Sequence, residues 1–268
     1  MDGGQLSARI IVIEHEDGTD VRRLGDWLEA AGAVLDVRRP YREAKACGAV
    51  DADAALAHIP TLEELREPGV GLIVLGGQDG PVDDERNPWF PAVRALLADS
   101  AAGEFSSLNV CLGGEMLAEA LGHPVIHRDV PQVGLMTGHL RAEAADDPLF
   151  SHAPAEFPVV LWHGLQMELP YGAVHLVDGT DAPVQAFRVG RAWGTQFHLE
   201  ADGALLRGWA KDGSTLPEGL TVDAIVAPVV EAEPELKSAM EPVAHAFVEL
   251  LTAEHAATGL GERPAGRL

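Results

Sequence analysis

The side chains able to do covalent chemistry sit in two short segments far apart in this chain. Ser107-Leu108-Asn109-Val110 leads into Cys111-Leu112-Gly113-Gly114, and Gly194-Thr195-Gln196-Phe197 leads into His198-Leu199-Glu200. Together they supply a thiol, an imidazole and a carboxylate. A cysteine hydrolase uses these three to attack a carbonyl, to move the proton and to orient the imidazole. A cysteine on a sharp strand-to-helix turn projects outward, and the helix N-terminus behind it stabilises a thiolate. The placement therefore predicts a Cys111 thiol acidified below its ordinary value. Gly113 and Gly114 permit a tight turn and close approach of a substrate to the backbone. Residues two apart on a strand face one side, so Glu200 is expected to bond one ring nitrogen of His198 and leave the other for the thiol.

Groups this distant need a scaffold that brings strand ends together. Residues 8–13 are a β-branched run, and 20–31 carry Val21, Leu24, Trp27, Leu28 and Ala31 at helical spacing before Gly32 and a second strand over 34–37. A strand, helix, strand order favours parallel pairing. The pattern recurs with a strand at 71–75, a helix over 89–98, a strand at 108–110 and a helix over 112–121 that stops at Gly122. Apolar strands such as Ile10-Ile11-Val12-Ile13 and Leu72-Ile73-Val74-Leu75 imply helices on both faces. Beyond His123-Pro124 shorter strands at 132–139, 159–162, 173–177, 184–189 and 193–197 predict an antiparallel or mixed half. From about residue 204 a short helix, a Gly- and Pro-punctuated linker over 212–217 and a final helix over 233–253 form a C-terminal extension. No internal repeat interrupts this, so residues 1–268 are expected to form one α/β domain with a mixed sheet. Ligands of such sheets bind beyond the carboxyl ends of the strands, where Cys111 falls.

Composition narrows the function classes. The 268 residues carry 42 acidic against 19 basic side chains, a formal charge of −23, so nucleic acid and anionic membrane are not expected partners. The acidic clusters 83–85, 143–147 and 231–235 are expected to be solvated and to hold no chemical role. No apolar run reaches the roughly 20 residues of a membrane span, and no export signal opens the sequence. Two cysteines, Cys47 and Cys111, fit a reducing compartment, so the expected location is cytoplasmic. Cys47 has no catalytic partner nearby and reads as structural. His123 and His127 are four apart, but Pro124 breaks the helix that would align them on a metal. No phosphate loop or dinucleotide fingerprint is present, and no cofactor is expected.

The two motifs, with Trp162-His163-Gly164 and Gln185-Ala186-Phe187-Arg188 between them, resemble the class I glutamine amidotransferases, over about residues 10–200. The nearest likeness is to stand-alone members similar to the amidotransferase domain of GMP synthase. The fold this implies is a flavodoxin-like three-layer sandwich with a mixed, mostly parallel central sheet. The mechanism it implies has Cys111 attack the side-chain amide of glutamine, His198 hand a proton to departing ammonia, and water cleave the glutamyl thioester, with Glu200 orienting His198. The oxyanion would rest on backbone N–H groups of Leu112 and of Gly77 in Leu75-Gly76-Gly77-Gln78-Asp79. Gly76, Gly113, Glu115 and His163 are the expected substrate contacts. A synthetase of this type also needs an acceptor, which points to a separate synthetase or acceptor subunit.

Three positions differ from the family pattern. Asn109 replaces a glycine two residues before the nucleophile, a site where Asn tolerates strained backbone. Leu199 replaces a proline. Glu115 replaces a glutamine, and a carboxylate there disfavours a thiolate and favours an amine-bearing ligand. Glutamine hydrolysis leads, a γ-glutamyl amide hydrolase or peptidase-like relative follows, and a catalytically silent binding module is the third alternative. Leu112 in place of a histidine argues against the peptidase branch.

Overall fold

The computed structural model describes residues 7–43, 50–211, 216–217 and 219–259, with side chains to residue 256. The β-branched run forms β1 (Arg9–Ile13), followed by α1 (Arg22–Ala30) and β2 (Val34–Arg38). Two short helices, α2 (Ala52–Leu56) and α3 (Leu62–Leu65), precede β3 (Val70–Val74), α4 (Phe90–Ala101), β4 (Ser106–Val110) and α5 (Leu112–Ala120). Asp51 and Thr61 cap the short helices by accepting from the N–H groups of Ala54 and Glu64. The second half contributes β5 (Ile126–Leu140), β6 (Glu156–Gln166), β7 (Val174–Asp178), β8 (Val184–Val189) and β9 (Ala192–Thr195). Then come α6 (Gly203–Trp209), α7 (Val222–Glu231) and α8 (Glu233–Gly259).

One nine-stranded sheet runs in the order β2-β1-β3-β4-β9-β8-β7-β5-β6. The pairings from β2 through β9 are parallel, and those from β9 through β6 are antiparallel. Alternation along the strands decides the layers. Ile10 and Val12 of β1 pack with Leu24 and Leu28 of α1 and with Val243, Phe247 and Leu251 of α8. Ile11 and Ile13 face the other way, toward Phe90, Val93 and Leu97 of α4 and Met116 and Leu117 of α5. Each such fully buried side chain contributes about 1.5–3 kcal/mol of transfer free energy. The result is a flavodoxin-like three-layer sandwich with a mixed, mostly parallel sheet. A third cluster, with Leu206, Ile225, Val226 and Val229 of α6 and α7 against Val160 of β6, covers the antiparallel half near the parallel strand ends.

Several expectations change. A helix the pattern did not predict, α7, contains Pro228 yet begins at a Thr221 cap that accepts from Ala224 N–H. The helix continues through the proline because only the preceding turn loses a hydrogen bond. The acidic stretch 143–147 is not uniformly solvated: Asp147 is buried, bonded to Arg188 at 2.7 Å and to the indole N–H of Trp193 at 3.1 Å. His123 accepts from the backbone N–H of Tyr171, and no metal-ligating cluster occurs among the described residues. No helix among them is long and apolar enough to cross a membrane. Cys47 and most of the predicted linker lie outside the described residues.

Candidate active site

Strand β4 ends at Val110 and helix α5 begins at Leu112, so Cys111 alone makes the turn between them. It does so at φ 49° and ψ −106°, a conformation that costs a non-glycine residue roughly 1–3 kcal/mol. Backbone bonds hold it: Cys111 N–H donates to Thr195 O at 2.7 Å, and Glu115 N–H donates to Cys111 O at 2.8 Å. The strain therefore sits on Cys111 and not on Asn109. Asn109 lies in ordinary strand backbone, and its amide donates to Ser107 Oγ at 3.0 Å and to Trp193 O at 2.9 Å. That tie binds β4 to β9, the strand that leads to His198.

The glycines after Cys111 answer a packing need. A methyl group on Gly113 would lie 2.3 Å from Val74 O, and one on Gly114 would lie 2.8 Å from Thr195 O. They let α5 press onto β3 and β9. Gly113, expected among the substrate contacts, is thus turned toward β3 and does not line the cavity.

His198 and Glu200 lie past the end of β9, where the chain bends, so strand alternation does not explain their pairing. The bend is pinned by His198 N–H donating to Val160 O at 2.9 Å and by the buried Arg23 donating to Leu199 O at 3.0 Å. His198 Nδ1 and Glu200 Oε1 are 2.7 Å apart. An ionised carboxylate only accepts, so Nδ1 carries the proton. Nε2 is buried with no conventional hydrogen bond, and its charge couples to the Cys111 thiol. Gly76, at the end of β3, is where the two meet: a methyl group there would stand 3.0 Å from His198 Cε1 and 3.7 Å from Cys111 Cβ.

The electrostatics differ from the expected acidified thiol. Burial pushes the Cys111 thiol above its ordinary value, and the adjacent His198 only partly offsets this. For His198 burial opposes protonation, but the Glu200 carboxylate and the thiol outweigh it and raise the ring well above its usual value. A charge on sulfur alone is disfavoured. Passing the thiol proton to His198 instead makes a neutral pair, which the dry site tolerates.

Cys111 and His198 open onto a cavity of about 310 Å³ also lined by Gly77, Glu115, His163 and Trp209. Gly77 abuts the start of α5, since a methyl group on it would lie 2.8 Å from Leu112 Cδ2. The Leu112 N–H is among those at a helix start that lack an intrahelical acceptor. Burial raises the Glu115 carboxyl from 4.5 to about 7, against the opposing hydrogen bond from Gln196. His163 is held by the Leu165 carbonyl oxygen at Nδ1 and by the side-chain amide of Gln132 at Nε2, 2.9 Å away. Burial lowers it to about 4, so it is neutral near pH 7.

Two residues at the site were not singled out by type or spacing. Gln196 is buried, donates to Glu115 Oε1 at 2.9 Å and to Cys111 Sγ at 3.9 Å, and accepts from Met167 N–H at 3.1 Å. Its place directly before Phe197-His198 was the available signal. Trp209 comes from the C-terminal extension, where no motif marks it.

Comparison with known proteins places these features in context. The glutamine amidotransferase class-I family model matches residues 44–206, more than half of the chain. The glutamine amidotransferase-like protein YfeJ of Salmonella typhimurium is 27% identical over 196 residues, 72% of this chain and 75% of that protein. A glutamine-hydrolyzing GMP synthase of Thermosipho africanus is 28% identical over 141 residues, which are 52% of this chain but 26% of the synthase. Among solved structures, a glutamine amidotransferase of Thermotoga maritima superposes with a TM-score of 0.72 at 19% identity, covering 92% of this chain and 99% of that one. One from Methylobacillus flagellatus gives 0.70 at 20% identity over 98% of both chains. At these identities the superpositions speak for the fold.

Proposed function

This chain belongs to the class-I glutamine amidotransferase family, and we propose that it hydrolyses the side-chain amide of glutamine through Cys111, His198 and Glu200. The observation that carries the reading is the meeting of Cys111 and His198 over Gly76, at the wall of a cavity large enough for an amino-acid amide. In the proposed sequence the thiol proton moves to His198 Nε2 as sulfur bonds to the amide carbon. The oxyanion is held by the N–H groups of Leu112 and Gly77, each worth roughly 2.7–4 kcal/mol in comparable acyl-transfer sites. His198 returns the proton to nitrogen and ammonia departs, leaving a glutamyl thioester. Water then gives a proton to His198, attacks the thioester carbon, and glutamate leaves as the thiol is restored. Glu200 keeps the imidazolium paired throughout.

The strained turn at Cys111 supports this reading, because it sets a buried sulfur at a strand end on the wall of the cavity, as a nucleophile elbow does. Glu115 and His163, which line the cavity, would contact substrate, whereas Gly76, an expected contact, lies against His198 and Cys111 and does not line it. The whole chain would act as one domain, since Leu251 of α8 packs so closely on β3 that a methyl group on Gly71 would lie 2.7 Å from it. The likeness to a glutamine-hydrolyzing GMP synthase supports a reading in which the ammonia passes to an acceptor handled by a separate synthetase subunit. A cytoplasmic setting would keep the thiol reduced. Glu115 favours a second reading, in which the substrate is a γ-glutamyl amide bearing an amine. The test is ammonia release from glutamine by purified protein, with Cys111→Ala as control. Release that depends on Cys111 supports the leading reading. Turnover of γ-glutamyl amines without turnover of glutamine would move the function to the second.

A further inference from the structure

Trp209 lies three residues beyond the end of the family-matched segment at residue 206, yet its indole is packed against His198. The ring centroids are 4.7 Å apart with planes inclined at 57°. We propose that Trp209 is a positioning residue for His198, fixing the imidazole between Glu200 and Cys111 and meeting its protonated form with an aromatic face. The proposal rests on the reading of His198 as the proton carrier.

The chain directly after Glu200 is built to deliver this contact. Asp202 caps α6 by accepting from Leu205 N–H at 2.8 Å and is held in place by Arg22 at 3.0 Å. Helix α6 then runs for seven residues, about 10 Å at 1.5 Å per residue, which returns its last residue to the cavity wall. There the Trp209 N–H donates to Gly18 O at 2.7 Å, and Trp162 packs edge-on at 5.7 Å. The indole is therefore held by two partners besides His198. This matters because Glu200 fixes only one point of the imidazole. A ring held by one hydrogen bond can still swing about it, and a flat partner removes that freedom. An aromatic face within about 6 Å also attracts a cation. The other titratable groups around His198 are Cys111, Glu115, Glu200 and His163. His163 stays neutral above about pH 4.

The test uses the full-length protein and two readouts. A protonated imidazole quenches a neighbouring indole, so the emission of wild type minus that of Trp209→Phe should brighten as His198 loses its proton. That change should vanish in His198→Gln. The second readout is the rate of Cys111 alkylation against pH. Trp209→Phe keeps an aromatic face but gives up the bond to Gly18 O, so it should lose less than Trp209→Leu in both rate and profile. Trp209→Leu, which fills the space without an aromatic face, should slow alkylation about three- to thirtyfold and shift the profile. A Leu variant that matches Phe in both, or emission that ignores His198, would overturn the proposal. Wild-type protein that resists alkylation while its emission still follows His198 would overturn the hydrolytic reading and leave the positioning contact supported.

Discussion

Replacing Glu115 by Gln isolates the cost of burying a carboxyl beside the thiol. Glu115 is 3% exposed, and burial raises its carboxyl from 4.5 to about 7. The folded protein then keeps this proton to higher pH than the unfolded chain does. Its stabilising share is full below about pH 4.5 and is lost as pH rises through about 7. A displacement of about 2.5 units corresponds to about 3 kcal/mol, all of it lost by pH 8. The substituted glutamine has the same shape, and its amide oxygen still accepts from Gln196, but it has no charge to bury. Urea unfolding at pH 5 and pH 8 reads the difference, because titrations away from Glu115 are shared by the two proteins and cancel. The variant should be the more stable one, by about 1 kcal/mol at pH 5 and about 3 kcal/mol at pH 8. A gap that stays constant across this range would refute the reasoning, since it would mean that Glu115 titrates alike folded and unfolded. The same ionisation should raise KM for glutamine above pH 7 in wild type and not in the variant, since the charged carboxylate repels the substrate's own.

Glu200→Gln keeps a hydrogen-bond acceptor for His198 Nδ1 and removes the charge, so kcat for glutamine hydrolysis should fall roughly 10²–10⁴-fold. The alkaline limb of its pH profile should move to lower pH, because an imidazolium without its carboxylate loses its proton sooner; calorimetry should show the fold intact. Gly113→Ala should destabilise by about 1–3 kcal/mol or more, because the added methyl meets Val74 O at 2.3 Å and backbone cannot yield as a side chain does. A melting temperature within about 1 °C of wild type would contradict that packing.

The fold was largely legible because its signals are physical and local. Ile10 to Ile13 and Leu72 to Leu75 are apolar at every position, which only a strand covered on both faces requires. Helix α7 was hidden by Pro228 and by the loop-like composition around residue 217, and what forms it is packing of Ile225 and Val229 on the antiparallel half. At the site, residue type alone drew attention to a thiol, an imidazole and a carboxylate. Geometry was less legible: the unusual backbone falls on Cys111 itself, because Asn109 stays in the ladder and spends its amide tying β4 to Trp193 of β9. The thiol is not acidified as its place at a helix N-terminus predicts, because burial opposes the charge on sulfur. Gln196 and Trp209 are not legible in the sequence. Their roles depend on which distant side chains they touch, and neither periodicity nor motif encodes that.

The proposed mechanism stands on Cys111 being a nucleophile that glutamine-shaped molecules reach, and covalent labelling reads this most directly. A diazo-ketone analogue of glutamine, followed by peptide mass spectrometry, should leave one adduct on Cys111 and none on Cys47, with the Cys111 adduct lost in His198→Ala. An unmodified Cys111, or equal labelling of both cysteines, would contradict the mechanism.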